Sequence, residues 1–255
     1  MACKNKLVLL SRREFQSDRP TLVLLHGATT DPSEMLLIAR EYIDTRNVFL
    51  YSYNFHHSIE QLAQDFVSEI KALQTAHPEL AITNASKPVL TVITYSYSTA
   101  IFRGAVLASR ESGMFSATSL VELAPTAGGS IMARYLRNPV NALLVAMASQ
   151  FSRTQNPYGR LAKELWSDEG NRKFHEVIPP EKVYTFLVED DRHSLAEAND
   201  EEVRKRYHNG IGTNVVTIPK SSGVTHENFP VHPEGINYLR SVLEPSTKKS
   251  ADAGK

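Results

Sequence analysis

Short runs of β-branched and aliphatic residues alternate along this chain with segments whose apolar positions recur every three or four residues. Lys6 to Leu10 reads as a first strand, and Thr21 to Leu25 as a stronger second one. Asp31 with Glu34 three residues on is a capping-box pattern, with Pro32 at the first helical position. It predicts a helix to about Ile43 that buries Leu36, Leu37, Ala39 and Ile43. Val48 to Tyr53 is the next strand. From Ser58 to about Ala76, the residues Ile59, Leu62, Ala63, Phe66, Val67, Ile70 and Leu73 fall on one helical face. Val89 to Ile93 is a strand short enough to be fully buried, and Ala100, Ile101, Ala105, Val106 and Ala108 follow at helical spacing. Ser119 to Ala124 closes this half as another strand. Such alternation predicts an α/β fold: a mostly parallel, doubly wound sheet with helices on both faces.

The pattern then changes. From Pro125 to Pro180 the chain reads as short helical segments, Ile131 to Leu136, Val140 to Phe151 and Arg160 to Trp166, separated by turns at Asn138-Pro139 and Asn156-Pro157. This stretch, 125–180, is expected to be a helical insertion, either a cap or extra packing over the sheet. Alternation resumes with a strand at Val183 to Val188, a polar helix at Ala196 to His208, and a strand at Thr213 to Ile218. A final helix, Pro233 to Leu243, should bury Ile236, Leu239, Val242 and Leu243. The expected organisation is one domain over residues 1–244 and a polar, disordered tail over 245–255.

Charge and cysteine content narrow the partners. Lys+Arg and Asp+Glu both number 28, so no basic excess exists to bind nucleic acid or an anionic surface. No apolar run approaches the ~20 residues that cross a bilayer. Cys3 is the only cysteine, which leaves no intrachain disulfide and no thiolate metal site. Read from Met1, the short apolar run Leu7 to Leu10 near the start is too short for a secretory signal, and the expectation is a cytoplasmic protein. Ala2-Cys3 keeps open a lipoprotein or exported form whose true start lies upstream. The sequence leaves the oligomeric state undetermined.

The candidate chemistry centres on Thr94-Tyr95-Ser96-Tyr97-Ser98, between the buried strand and its helix. A serine in that turn has the geometry of a nucleophile elbow, its hydroxyl lifted clear of the sheet's carboxyl edge. The competing reading is a hydroxyl that caps the helix. Ser98 fits the same small-x-Ser-x-small frame, but two apolar residues end directly at the elbow when Ser96 is its centre. A serine needs a base, and the base an orienting acid. Open parallel sheets gather such groups at the carboxyl ends of their strands. After Val188 come Glu189, Asp190 and Asp191; after Ile218 comes the loop Gly223-Val224-Thr225-His226-Glu227-Asn228. Asp191 is preferred to Asp190, and His226 to His232, which precedes Pro233 and reads as a helix start. His193 reads as a surface residue. His56-His57 has no carboxylate or thiolate at ligand spacing and reads as an exposed loop. Trp166 and the run from Leu143 to Met147 read as core or, within a lid, as acyl pocket.

Over residues 6–244 the chain resembles the α/β-hydrolase superfamily, particularly its lipases and esterases. His26-Gly27 looks like the oxyanion-loop motif. Val92 to Thr99 matches the apolar-apolar-Gly-x-Ser-x-Gly-Gly elbow in register, with Thr94 and Ser98 where glycine is usual. Arg103 falls where these lipases often carry arginine, and Leu123 to Ser130 is similar to their Pro-x-x-Gly-Ser segment. The order Ser96, Asp191, His226 is that of the superfamily. The resemblance implies an α/β-hydrolase fold with a helical cap, and an enzyme that needs no cofactor or metal. Ser96 would be the nucleophile, His226 the base and Asp191 its orienting acid. The backbone N–H groups of Tyr97 and Ala28 would form the oxyanion hole. The implied activity is hydrolysis of carboxylic esters, small-molecule or lipid-like, through an acyl-enzyme. Acyl transfer or thioester cleavage on the same residues, and a binding module with a decayed site, are the alternatives.

Overall fold

The computed structural model describes residues 5–10, 14–27, 32–54, 57–81, 90–125, 168–189 and 214–244. Among them are seven strands in one sheet: β1 Lys6–Leu9, β2 Thr21–Leu25, β3 Asn47–Ser52, β4 Leu90–Tyr95, β5 Thr118–Leu123, β6 Val183–Val188 and β7 Asn214–Ile218. Their order is β1-β3-β2-β4-β5-β6-β7. Only β1 runs antiparallel, against β3; every other pairing is parallel. The mostly parallel, doubly wound arrangement is the one the alternation predicts.

Alternation along each strand divides the core between two faces. Val23, Leu25 and Val92 point into a layer with the helices α2, Ile59–Ala76, and α3, Ser98–Ala108. Leu22, Leu24, Ile93 and Tyr95 point the other way, toward α1, Leu36–Tyr42, and the last helix, α5, Pro233–Leu243. Helix α2 buries the predicted stripe through Ile59, Leu62, Ala63, Phe66 and Ile70. Ser58 caps it, its hydroxyl accepting from Gln61 N–H at 3.2 Å. Helix α5 has the predicted bounds, with Ile236 and Leu239 buried and Val242 and Leu243 partly so. No helix among the described residues is long and apolar enough to cross a membrane.

Two local departures have physical reasons. The segment opening at Pro32 starts as a tight 3-10 turn, Pro32–Met35, and becomes α-helical only at Leu36. The tighter turn carries Met35 into full burial, whereas Leu36 and Leu37, expected in the core, remain exposed. Asp31, its proposed cap, lies outside the described residues. The second is α4, Asp168–Val177, a helix absent from the predicted set. Its sequence is strongly polar, but Phe174 and Ile178, four residues apart, are buried in the α2–α3 layer. This part of the stretch 125–180 packs on the body of the fold. The predicted helices from Ile131 to Trp166, the helix from Ala196 to His208, and the tail lie outside the described residues.

A buried charge pair ties this layer together. Arg103, on α3 and 1% exposed, places Nε 2.9 Å from Glu122 Oε1 on β5. The other oxygen of Glu122 accepts from the Thr185 hydroxyl of β6 at 2.8 Å. The Arg103 guanidinium also lies 4.6 Å from the centre of the Phe174 ring. Burying both charges is costly, so their attraction and this set of hydrogen bonds offset a desolvation penalty rather than adding freely to stability.

Candidate active site

The chain order reverses between β2 and β4. From β2 the chain winds outward to β3 on one side; from β4 it winds through β5, β6 and β7 on the other. At such a switch point the loops leaving adjacent strands diverge and open a crevice at the carboxyl edge. Leu25 and Thr94 are register partners there. His26-Gly27 therefore leaves one side of the crevice and the Tyr95-Ser96-Tyr97 turn the other.

Ser96 lies in the turn with φ of 54°, a left-handed conformation rare for a residue with a Cβ. Such a residue is strained by ~1–3 kcal/mol and persists only where its surroundings fix it. Here Ser96 N–H donates to Leu123 C=O of β5 at 2.9 Å, and Thr99 N–H donates to Ser96 C=O at 3.3 Å. The side chain stays partly exposed. Its Oγ is 2.8 Å from Nε2 of His226, a residue 130 positions away. The structure thus brings together the predicted nucleophile and base. It does so on a backbone that supports a nucleophile elbow rather than a plain helix cap.

Ser98 occupies a different environment. It is completely buried, and its Oγ accepts from Tyr95 N–H at 2.9 Å. Its own proton has two acceptors, Tyr95 C=O at 2.9 Å and Leu25 C=O at 3.0 Å. Thr94 and Thr99, from strand and helix, are joined hydroxyl to hydroxyl at 3.0 Å. The two positions where glycine is usual therefore carry hydroxyls that bond across the tight turn.

His226 sits in a loop anchored on both sides by buried side chains, Val224 and Phe229. Within it, Thr225 N–H donates to Asn228 Oδ1 at 2.7 Å, and Asn228 Nδ2 to Gly223 C=O at 3.0 Å. Gly223 has φ of 74°, which suits glycine. His226 is 7% exposed, and its backbone C=O accepts a hydrogen bond from the Tyr95 hydroxyl. His232 is the N-cap of α5, its Nδ1 accepting from Glu234 N–H at 3.2 Å, as the sequence predicts. His57 is exposed, with Nδ1 3.1 Å from Asn5 Nδ2. His56 and His193 lie outside the described residues.

On the β2 side, His26 is buried and stacks on Tyr53 with ring centres 4.1 Å apart. Its Nδ1 is 2.8 Å from Gly27 C=O; a carbonyl only accepts, so Nδ1 carries the proton. The Tyr53 hydroxyl donates to His26 C=O at 2.6 Å. Burial pushes the Tyr53 phenol well above its usual range, and the neighbouring Tyr97 and Tyr51 phenols push the same way. It remains a donor at any working pH. Tyr97, next after the elbow serine, is buried and stands at the head of α3, where first-turn N–H groups point out of the helix.

Asp191 and Asp190, the candidates for the acid, and Ala28, the second oxyanion candidate, lie outside the described residues. Glu189, just before them, has its carboxylate 2.9 Å from Lys220 N–H, closing the turn after β7. Sequence reasoning missed Tyr53 and Tyr95 as supports of the site. Their one available signal is position: Tyr95 ends β4 beside the switch point, and Tyr53 follows β3, one strand further out.

No protein-family model and no curated protein matches the chain. Solved structures do. A mature lipase from Bacillus licheniformis aligns with a TM-score of 0.57 at 10% identity, over 93% of this chain and 97% of that one. Lipase B of Aspergillus fumigatus aligns with the same score and identity over 88% of this chain, which spans 53% of the lipase. A lipase-esterase related protein from Clostridium acetobutylicum reaches 0.52 at 14% identity, over 94% and 98% of the two chains. With the sheet order and the elbow, these likenesses establish that the chain has the α/β-hydrolase fold.

Proposed function

We propose that this protein is a serine hydrolase that cleaves carboxylic esters through a covalent acyl-enzyme. The observation that carries the reading is the 2.8 Å approach of Ser96 Oγ to His226 Nε2 at the switch-point edge. In the first half-reaction His226 Nε2 takes the Ser96 proton as Oγ bonds to the ester carbonyl carbon. The carbonyl π electrons move to oxygen, and the resulting oxyanion is held by the N–H groups of Tyr97 and Ala28. Collapse expels the alcohol, which leaves with the proton from His226. A water then repeats the sequence, releasing the acid and restoring Ser96. Asp191 would orient the imidazole and stabilise its charged form. The substrates are small-molecule or lipid-like esters, a choice supported by the lipases among the structural neighbours.

A fluorophosphonate probe tests this directly. The expected result is stoichiometric modification mapped by mass spectrometry to Ser96, with loss of ester hydrolysis in step. A folded protein that stays unlabelled, or is labelled at another residue, would refute the assignment.

A further inference from the structure

His226 is attached to the elbow at two points, and the two partners are consecutive residues. Its ring Nε2 meets Ser96 Oγ, and its backbone C=O accepts from the hydroxyl of Tyr95. The Tyr95 side chain is buried, on the sheet face opposite α3, and its ring centre is 5.7 Å from that of His226. We propose that Tyr95 is a positioning residue that fixes the base to the nucleophile, so that elbow and histidine loop move as one body. This rests on the reading of Ser96 and His226 as nucleophile and base.

The loop's construction shows why such a tie matters. The bonds between Thr225, Asn228 and Gly223 close the loop upon itself and shape it without placing it on the sheet. Val224 and Phe229 seat it by apolar contact, which is non-directional and tolerates sliding. The hydroxyl of Tyr95 adds a directional bond to the loop's backbone, and it does so from the residue next to the one that reacts. A serine–histidine pair transfers its proton only over a narrow range of distance and angle. Small displacements of a bound geometry can cost up to ~10²-fold in rate. Strand β4 is central and buried along its whole length, so the phenol is carried on a rigid support.

Tyr95→Phe removes the hydroxyl and keeps the ring. Tyr51→Phe is the matched control. That phenol is also fully buried and donates to a backbone carbonyl, Leu62 C=O at 3.3 Å, but it faces α2. The measurements are kcat and KM on a p-nitrophenyl ester, the rate of fluorophosphonate labelling, and Tm. For Tyr95→Phe we expect kcat and labelling rate to fall together by roughly ten- to a hundredfold, with KM within about twofold. Tyr51→Phe should keep both rates within about twofold whatever its Tm. Wild-type rates in Tyr95→Phe, or equal losses in both variants, would overturn the proposal. A Tyr95→Phe protein that does not fold would assign the hydroxyl to stability and also end it. A wild-type protein that the probe never labels refutes the hydrolase reading instead, so the two failures are distinct.

Discussion

Two serines two residues apart show how differently the lip and the root of one turn are built. At the lip, Ser96 is partly exposed, strained at φ of 54°, and bonded to a histidine from a distant loop. At the root, Ser98 is sealed from solvent and bonded to the backbone of β4 and β2. Thr94 and Thr99 close the same root from strand to helix. Where glycines would let strand and helix press together, this chain links them by hydroxyls. The lesson is a division of labour: the exposed, strained position sits on a root that hydroxyl bonds hold to both strands.

The sharpest way to break that contrast is to remove each hydroxyl in turn. Ser96→Ala should lower ester hydrolysis by roughly 10⁴-fold or more, read as kcat/KM, with an unchanged or slightly altered Tm. A variant that keeps its activity would move the chemistry elsewhere. Ser98 would be a poor alternative, since a substrate carbonyl cannot reach a fully buried oxygen without unfolding the turn.

Further along the same helix lies a buried charge pair. Arg103, one turn along α3, carries the buried pair with Glu122 and contacts Phe174. Arg103→Ala would leave Glu122 buried and uncompensated, at a cost of about 3–5 kcal/mol by chemical denaturation. Glu122 and Phe174, the partners that hold the guanidinium, lie away from the lip, so activity per folded molecule should change far less than stability. A loss under ~1 kcal/mol would mean that the carboxylate finds water, and that the layer is looser than its burial indicates.

These contrasts mark what the sequence could disclose. Strands β2, β4 and β6, helix α2 and helix α5 were legible because their apolar positions recur at one period and end at recognisable caps and turns. The pairing of Ser96 with His226 was legible because each follows a predicted strand, and parallel strands deliver their ends to one edge. Helix α4 was not, since Phe174 and Val177 alone, amid polar residues, make no periodic stripe; only Arg103 and the α2–α3 layer reveal why it packs. Nor were the roles of Tyr95 and Tyr53. A phenol at a strand end acquires its meaning from the carbonyl it meets, and for Tyr95 that carbonyl is 131 residues away.

Ser98→Gly sharpens the comparison, because it introduces the glycine usual in elbows of this fold and yet should weaken the protein. It strands the buried N–H of Tyr95 and places glycine in the first turn of α3. The expected cost is about 1–3 kcal/mol, with ester hydrolysis per folded molecule preserved within about tenfold. A stabilised Ser98→Gly variant would show that close packing, not hydroxyl bonding, holds the root.

The smallest effect tests whether burial, rather than a short distance, makes the root firm. Arg240 on α5 and Glu41 on α1 form an ion pair of 2.7 Å, shorter than the 2.9 Å of Arg103 and Glu122, but both side chains face solvent. The hydrogen bond from Arg240, reinforced by its charge, holds the Glu41 carboxyl below its usual range against a small burial penalty. A carboxyl lowered on folding contributes stability above its ordinary value of 4.5 and loses it as pH falls through the lowered folded value. Glu41→Gln should therefore lower Tm at pH 7 by no more than about 2 °C, less so in high salt. The gap from wild type should close as the medium is taken well below pH 4.5. A Tm loss at pH 7 as large as that of Arg103→Ala would mean that solvent screens this pair no better than the core does. The firmness of the root would then owe nothing to its burial.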